Sequence, residues 1–208
     1  MINISLAGIG GQGSVLAAKI LAETARSKGW QVRTAETTGM AQRGGNVMSH
    51  VRMGDCGEEV FSPLPAQGSD DLIIALEPGE GLRALPLLKP HGLLVTAASG
   101  VAPVVSSFKA DPYHPADMIA QLQKSDAQVV VVDDEALCAE LGSRKALNII
   151  MLARALSAVN NPSYQNALCE KITLEDMRTI IPQCVKERFV PLNPVSYTHL
   201  TLPTILRV

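Results

Sequence analysis

Two glycine-rich stretches carry the residue types that could hold an anion. In the first, Gly8-Ile9-Gly10-Gly11-Gln12-Gly13, the spacing lets one glycine make a tight turn, another bring backbone close to a phosphate, and a third let a helix pack on a strand. A helix beginning at Ser14 would aim its first N–H groups at the same place. The same spacing also serves a plain strand-to-helix turn that binds nothing. The second stretch, Thr37-Thr38-Gly39-Met40-Ala41-Gln42-Arg43-Gly44-Gly45-Asn46, holds one cation, Arg43. Its planar fork suits a phosphate or carboxylate, and suits solvent equally well. The candidate cofactor-binding residues are therefore Gly10, Gly11, Gln12 and Gly13 with Gln42, Arg43, Gly44 and Gly45.

Other chemistry finds no support. Gly13 is followed by Ser14, so the lysine of a nucleotide-triphosphate loop is missing. Cys56, Cys138, Cys169 and Cys184 are scattered and form no C-x-x-C pair, which predicts neither zinc nor an iron–sulfur cluster. His50 falls in a strand pattern and reads as an ordinary satisfied histidine ahead of a ligand or base, while His91, in a turn, and His114, among prolines, have no visible partner. Cys56 has no paired histidine, and no serine sits in a nucleophile elbow. The expectation is a binding domain with no catalytic residue and no metal site of its own, which points to a subunit.

The elements that position the two loops follow from periodicity. Ile2 to Ala7 reads as a strand, and Val15, Leu16, Ile20 and Leu21 mark one face of a helix from Ser14 to about Gly29. Gln31 to Glu36 reads as a second strand, giving a right-handed βαβ unit with parallel strands. Both glycine loops then lie at C-terminal strand edges, where open α/β sheets bind ligands. Val47 to Arg52 alternates as a strand, and Glu58 to Ser62 is expected to return beside it as an inserted hairpin. Asp71 to Leu76, Gly92 to Ala97 and Val129 to Val132 read as strands, the first two buried on both faces. Helices are expected from Glu77-Pro78 to Leu85, Ala116 to Lys124 and Glu135 to Val159 with a break at Gly142. A last one starts at the capping box Thr173-Leu174-Glu175-Asp176 and stops by Pro182. The fold class is α/β, Rossmann-like, with a mostly parallel sheet, helices on both faces and a β-hairpin insertion.

Composition sets the bounds. The 208 residues suit one domain, with 47% apolar and 18% charged residues and a formal net charge of -2. That charge offers no footprint for nucleic acid. No basic flank precedes the first apolar run, and no apolar stretch is long enough to span a bilayer, so no signal peptide and no membrane contact are expected. Scattered cysteines fit reduced thiols in a cytoplasm.

The stretch from Gly8 to Gly13 with Lys19-Ile20-Leu21-Ala22-Glu23, followed by Gly39-Met40-Ala41-Gln42-Arg43-Gly44-Gly45-Asn46-Val47-Met48-Ser49-His50-Val51-Arg52, resembles the gamma-type domain of 2-oxoacid:ferredoxin oxidoreductases. The Gly-Met-Ala-Gln-Arg-Gly-Gly form is similar to that of the indolepyruvate branch. Phe61-Ser62-Pro63-Leu64, Ala75-Leu76-Glu77-Pro78, Glu140-Leu141-Gly142 and Lys145-Ala146-Leu147-Asn148 extend the likeness, which covers residues 1–193. The resemblance implies a subunit of a thiamine-diphosphate enzyme that oxidatively decarboxylates an aryl 2-oxoacid to an acyl-CoA and passes electrons to ferredoxin. Thiamine diphosphate, magnesium and iron–sulfur clusters are then expected on a larger catalytic partner. This chain would contact coenzyme A at Gly10 to Gly13 and Arg43 to Gly45 and cover the active site. A free-standing NAD(P)-binding oxidoreductase or sensor is the alternative, with Glu36, 23 residues past Gly13, as the ribose acid. A purely structural subunit is a third. Under the two-loop reading Glu36 becomes a structural or interface residue. Residues 194–208, beginning Pro194-Val195-Ser196-Tyr197-Thr198-His199, have no helical period and resemble a translated sequencing adapter, so they are expected to be a non-native tail.

Overall fold

The structure, a computed structural model, describes residues 1–39, 45–55, 57–102, 113–159 and 172–185. Gln42, Arg43, Gly44, Cys56, Cys169 and the tail 194–208 lie outside the described residues. Among the described residues the chain runs β1 (Ile2–Ile9), α1 (Ser14–Ser27), β2 (Gln31–Thr38), β3 (Asn46–Gly54), β4 (Asp70–Ala75) and α2 (Pro78–Ala84). It continues through β5 (Leu88–Ala97), α3 (Pro115–Gln123), β6 (Gln128–Val132), α4 (Asp134–Glu140), α5 (Leu147–Val159) and α6 (Leu174–Cys184).

The strands form one mixed sheet in the order β2-β3-β1-β4-β5-β6. β1, β4, β5 and β6 pair in parallel, whereas β3 is antiparallel to both β1 and β2. The Rossmann-like class and its hairpin are thus present, with two differences in detail. β1 and β2 do point the same way, but β3 lies between them, so the first crossover spans an inserted strand. The hairpin is made by β2 and β3; residues 58–62 form no strand and hang on β2 by side-chain bonds instead, Val60 N donating to Gln31 Oε1 at 3.2 Å and Arg33 Nε to Val60 O at 3.3 Å. Alternation reveals that a strand has two faces and says nothing about which neighbour it chooses.

Side chains sort by strand parity. Ile2, Ile4 and Leu6 join Val51, Met53, Leu72 and Ile74 under α1, α5 and α6 in the larger core. Ala7, Ile73 and Leu94 pack with Ala84 of α2 and Leu122 of α3 on the opposite face. Helices therefore cover both faces, as continuous apolar strands require. In α5 all but two residues are buried, so the apolar face read from Leu147, Ile150, Met151, Ala155 and Leu156 is core. The Thr173 capping box is complete, Asp176 N donating to Thr173 Oγ1 at 3.1 Å and Thr173 N to Asp176 Oδ2 at 2.8 Å. α6 continues past Pro182 to Cys184, because a proline so near a helix end removes one bond without forcing a stop.

Candidate functional site

The chain leaves β1 toward one side of the sheet and re-enters at β4 on the other, so the strand order reverses between them. In open α/β sheets that point, at the C-terminal strand ends, is where a crevice forms. Here it is bounded by the first glycine turn and by Leu76-Glu77.

Gly8, Gly11 and Gly13 of that turn have geometric reasons to be glycine. A Cβ on Gly8 would lie 2.8 Å from Gln12 Oε1 and 3.2 Å from Leu76 Cβ, so Gly8 permits the close approach of β1 to the end of β4. Gly11 and Gly13 have φ of 97° and 87°, the left-handed region that favours glycine. A Cβ on Gly13 would also come within 2.7 Å of Asn148 Nδ2. Asn148, the one buried polar residue of α5, donates from Nδ2 to Gly13 O at 3.2 Å, tying the start of α5 to the start of α1.

Gln12 does something the motif alone does not reveal. Its Oε1 accepts from Ile9 N at 2.8 Å and its Nε2 donates to Leu76 O at 3.2 Å, so the side chain spans the gap between β1 and β4. Gly10 N donates to Gly45 O at 2.9 Å, which joins the first glycine loop to the end of the second. The two loops do meet, but the Gly10 N–H is used in joining them. The first intrahelical bond of α1 runs from Ala17 N to Gly13 O, so Ser14, Val15 and Leu16 have no intrahelical acceptor for their N–H groups. α1 has 14 residues, long enough for its N-terminal partial charge to attract an anion. Of the predicted set, Gly10, Gly11, Gln12, Gly13 and Gly45 come together here, while Gln42, Arg43 and Gly44 fall outside the described residues.

Glu36 is excluded from this crevice by topology. It pairs with Ser49 on β3, and β3 separates β2 from β1. Two strand spacings, roughly 9–10 Å, therefore intervene where the ribose acid of a dinucleotide fold, on the adjacent strand, has one. Glu36 instead lines a shallow groove with Val15, Ala18 and Ala22 of α1.

Two polar clusters at the same sheet edge escaped the sequence reading. Fully buried Asp134, just past β6, accepts from Ser99 N at 2.9 Å and Ser99 Oγ at 2.6 Å, and Arg144 Nη2 lies 3.5 Å from it. Arg144 also donates to Ser99 Oγ at 3.0 Å while its guanidinium stays more than half exposed, a cation aimed by a buried acid. Beside β4, buried Glu77 caps α2 by accepting from Glu80 N at 2.9 Å and is bonded by the Tyr113 hydroxyl. Burial pushes the Glu77 carboxyl above its ordinary range, an effect that the N–H groups of Glu80 and Gly79 partly offset. Apart from the Glu77–Glu80 cap, the partners within each cluster are 10 to 45 residues apart in sequence, a separation that no local motif signals. Asn148 had a signal: it is the one amide in an apolar helix, inside the stretch Lys145-Ala146-Leu147-Asn148 that resembles the family.

Of the histidines, His50 is buried and its Nδ1 lies 2.8 Å from Ser5 Oγ, far from the glycine turn along β3; burial lowers its pKa. Among the described residues no group of three or more His, Cys, Asp or Glu side chains is placed to hold a metal ion, and no helix is long and apolar enough to cross a membrane.

Comparison with known proteins places this geometry. Residues 3–184 match the model of the pyruvate ferredoxin/flavodoxin oxidoreductase family. The chain is 33% identical over 193 residues to the indolepyruvate oxidoreductase subunit IorB of Archaeoglobus fulgidus, covering 92% of this chain and 90% of that protein. It is 30% identical to the subunit of the same name from Pyrococcus horikoshii, covering 94% and 92%. Among solved structures, the keto/oxoacid ferredoxin oxidoreductase gamma subunit of Geobacter sulfurreducens superposes with a TM-score of 0.67 at 22% identity, over 96% of both chains. The 2-oxoglutarate:ferredoxin oxidoreductase of Magnetococcus marinus, solved with 2-oxoglutarate, coenzyme A and succinyl-CoA bound, superposes with a TM-score of 0.66 at 16% identity; the match covers 96% of this chain and 30% of that one. These structural likenesses show the fold, and the family match over most of the sequence shows the kinship: the chain belongs to the pyruvate ferredoxin/flavodoxin oxidoreductase family.

Proposed function

We propose that this chain is the small subunit of a thiamine-diphosphate-dependent 2-oxoacid:ferredoxin oxidoreductase, acting on indolepyruvate or another aryl pyruvate. The observation that carries the reading is the 33% identity to an indolepyruvate oxidoreductase subunit over 92% of the chain. In this reading a larger partner chain holds thiamine diphosphate, magnesium and iron–sulfur clusters and passes electrons to ferredoxin. Thiamine diphosphate supplies the decarboxylation chemistry there, and the oxidised acyl group leaves as a thioester of coenzyme A. The reading places the enzyme in the cytoplasm, the small subunit inactive alone. It also takes residues 1–193 as the native domain and 194–208 as the adapter-derived tail.

This chain's part is to hold coenzyme A and cover the active site. The free N–H groups at the start of α1, the left-handed turn at Gly11 and Gly13, and Asn148 fit a diphosphate, and in this reading Arg43 to Gly45 of the second loop also contact it. Arg144 and Lys145 stand just before α5, the helix whose Asn148 reaches the start of α1. The alternative, an NAD(P) site, has less behind it. Glu36 is two strands away from the crevice, so the ribose acid of that fingerprint is missing.

Copurifying the two chains and assaying oxoacid-dependent ferredoxin reduction tests the proposal. Turnover should require both chains, thiamine diphosphate and coenzyme A, and Arg43→Ala should raise the KM for coenzyme A with little change in kcat. Saturable NADH binding to the isolated chain, with coenzyme A without effect, would refute it. An Arg43→Ala enzyme with an unchanged KM would leave the chain a structural subunit.

A further inference from the structure

Among the described residues β2 forms an open edge of the sheet, and its sequence does little to blunt it. It has eight residues, six of them exposed, with no proline and no lysine. Its pairing with β3 runs from Gln31 to Thr38 without a register shift, so no bulge twists it away. The opposite edge strand, β6, has five residues. A long, regular edge is a ready template for another strand, and chains that stay single usually carry one of these blocks.

One bond fixes the phase of that edge. Gly39 N donates to Asn46 O at 2.8 Å, in register with the ladder, so the odd-numbered residues of β2 spend their N–H and C=O groups on β3. Val32, Thr34, Glu36 and Thr38 therefore point theirs outward. Among the described residues no backbone group beyond the sheet bonds to any of them. Their side chains lie on the α1 face: Val32 packs on the larger core, and Thr34 and Glu36 line the groove beside α1.

This edge is complementary to itself. Antiparallel pairing sets outward residues against outward residues, so a second β2 can dock only in registers that keep parity. A two-fold axis at Ala35 sets Val32 against Thr38 and Thr34 against Glu36, and every outward N–H and C=O finds a partner. An axis at Thr34 would leave Thr38 opposite Trp30, outside the strand, while axes at Arg33 or Glu36 would set like charges face to face. At Ala35 the two copies meet in a non-hydrogen-bonded pair, with Cα atoms about 4.5 Å apart, where small side chains fit. Arg33 then stands opposite Thr37. On the α1 face the incoming Glu36 comes to lie at Thr34, beside a groove where Lys19 and Arg26 outnumber Glu23, the single acid of α1.

We propose that this chain pairs with a second copy of itself, β2 against β2 and antiparallel about Ala35, to make one continuous sheet across the two-fold axis. The pairing depends on neither the oxoacid nor coenzyme A. The test uses the full chain, which should sediment as a dimer. Under mild oxidation Ala35→Cys should give a linked dimer, which mass spectrometry maps to a disulfide between the two substituted positions. Thr37→Cys alone should give none, whereas Thr37→Cys mixed with Arg33→Cys should, because those positions face each other across the axis. Thr34→Pro removes an outward N–H and no bond to β3. It should raise the dimer dissociation constant by about 30-fold, for two hydrogen bonds lost across the axis, with an unchanged circular dichroism spectrum. If the proline disturbs the fold, Glu36→Lys supplies the second reading: it meets Lys19 and Arg26 of the other copy, and should weaken pairing more at low salt than at high salt. A monomer at every concentration, no disulfide from Ala35→Cys, or one from Thr37→Cys alone would overturn the proposal. With the larger chain copurified the Ala35→Cys disulfide should still form; its loss there would give the edge to that chain and overturn the proposal too. If the disulfide forms while the two chains show no turnover, the functional reading fails and the pairing stands.

Discussion

Asp134 and Asp70 are both carboxylic acids with no exposed surface, at opposite ends of the parallel strands, and their surroundings differ completely. Asp134, at the crevice edge, receives a backbone N–H and a hydroxyl from Ser99 and has Arg144 beside it. Asp70, at the start of β4, has no donor at hydrogen-bond distance for either oxygen. The Ser5 hydroxyl faces His50 Nδ1 at 2.8 Å. Burial pushes the Asp70 carboxyl up to about 6; Ser5 and Arg52 pull it down, and neighbouring Asp71 pushes it up. The comparison teaches that burial by itself does not decide what an acid does. The satisfied one holds a cation at the ligand edge, while the unsatisfied one makes the sheet pH-sensitive.

The largest test of the contrast is to remove the satisfied acid. Asp134→Ala strands Ser99 N–H and Arg144, and should lower unfolding stability by about 3 kcal/mol, read in urea melts. A loss under about 1 kcal/mol would mean that water replaces the carboxylate. Asp70 should behave in the opposite sense. Its folded pKa lies above the ordinary 3.8, so its ionisation opposes folding: stability is intact below about pH 4 and is lost as pH rises through about 6. The full cost is about 3 kcal/mol, at about 1.4 kcal/mol for each tenfold change in the acid's ionisation constant. Asp70→Asn should therefore stabilise the chain at pH 8 and do little at pH 4. Taking the difference from wild type at each pH removes the contributions of Glu77 and Glu80, which burial pushes in the same direction.

A smaller effect is expected at the glycine turn. Gly13→Ala combines a φ of 87° with a Cβ 2.7 Å from Asn148 Nδ2, and should cost about 2 kcal/mol. Adding Asn148→Ala should recover part of it, because the clash goes and the backbone strain stays; full additivity of the two losses would show that the side chains do not meet. The smallest is a control remote from both acids. Thr173→Ala breaks one half of the α6 capping box and should cost about 1 kcal/mol, independently of pH between 5 and 8 and additively with Asp134→Ala.

Local chemistry was legible in the sequence wherever the cause was local. The continuous apolar runs of β1, β4 and β5, the glycines of the first turn and the Thr173 capping box all depend on residues within one or two turns of each other. The insertion of β3 between β1 and β2 was not legible, because strand order is settled by which faces and edges fit after collapse. Nor was the bridging role of Gln12, whose second partner, the Leu76 carbonyl, lies 64 residues away.

For this protein, the order of amino acids alone determined the α/β class, the paired glycine loops and the kinship they carry, since these rest on backbone conformations and residue types that short segments impose on themselves. Only the tertiary structure decided that Glu36 stands two strands from the crevice, that Gln12 bridges the ends of β1 and β4, and that Asp134 is partnered while Asp70 is not. Those outcomes depend on long-range packing, which brings or withholds a hydrogen-bond donor by a few ångströms and leaves no trace in sequence spacing.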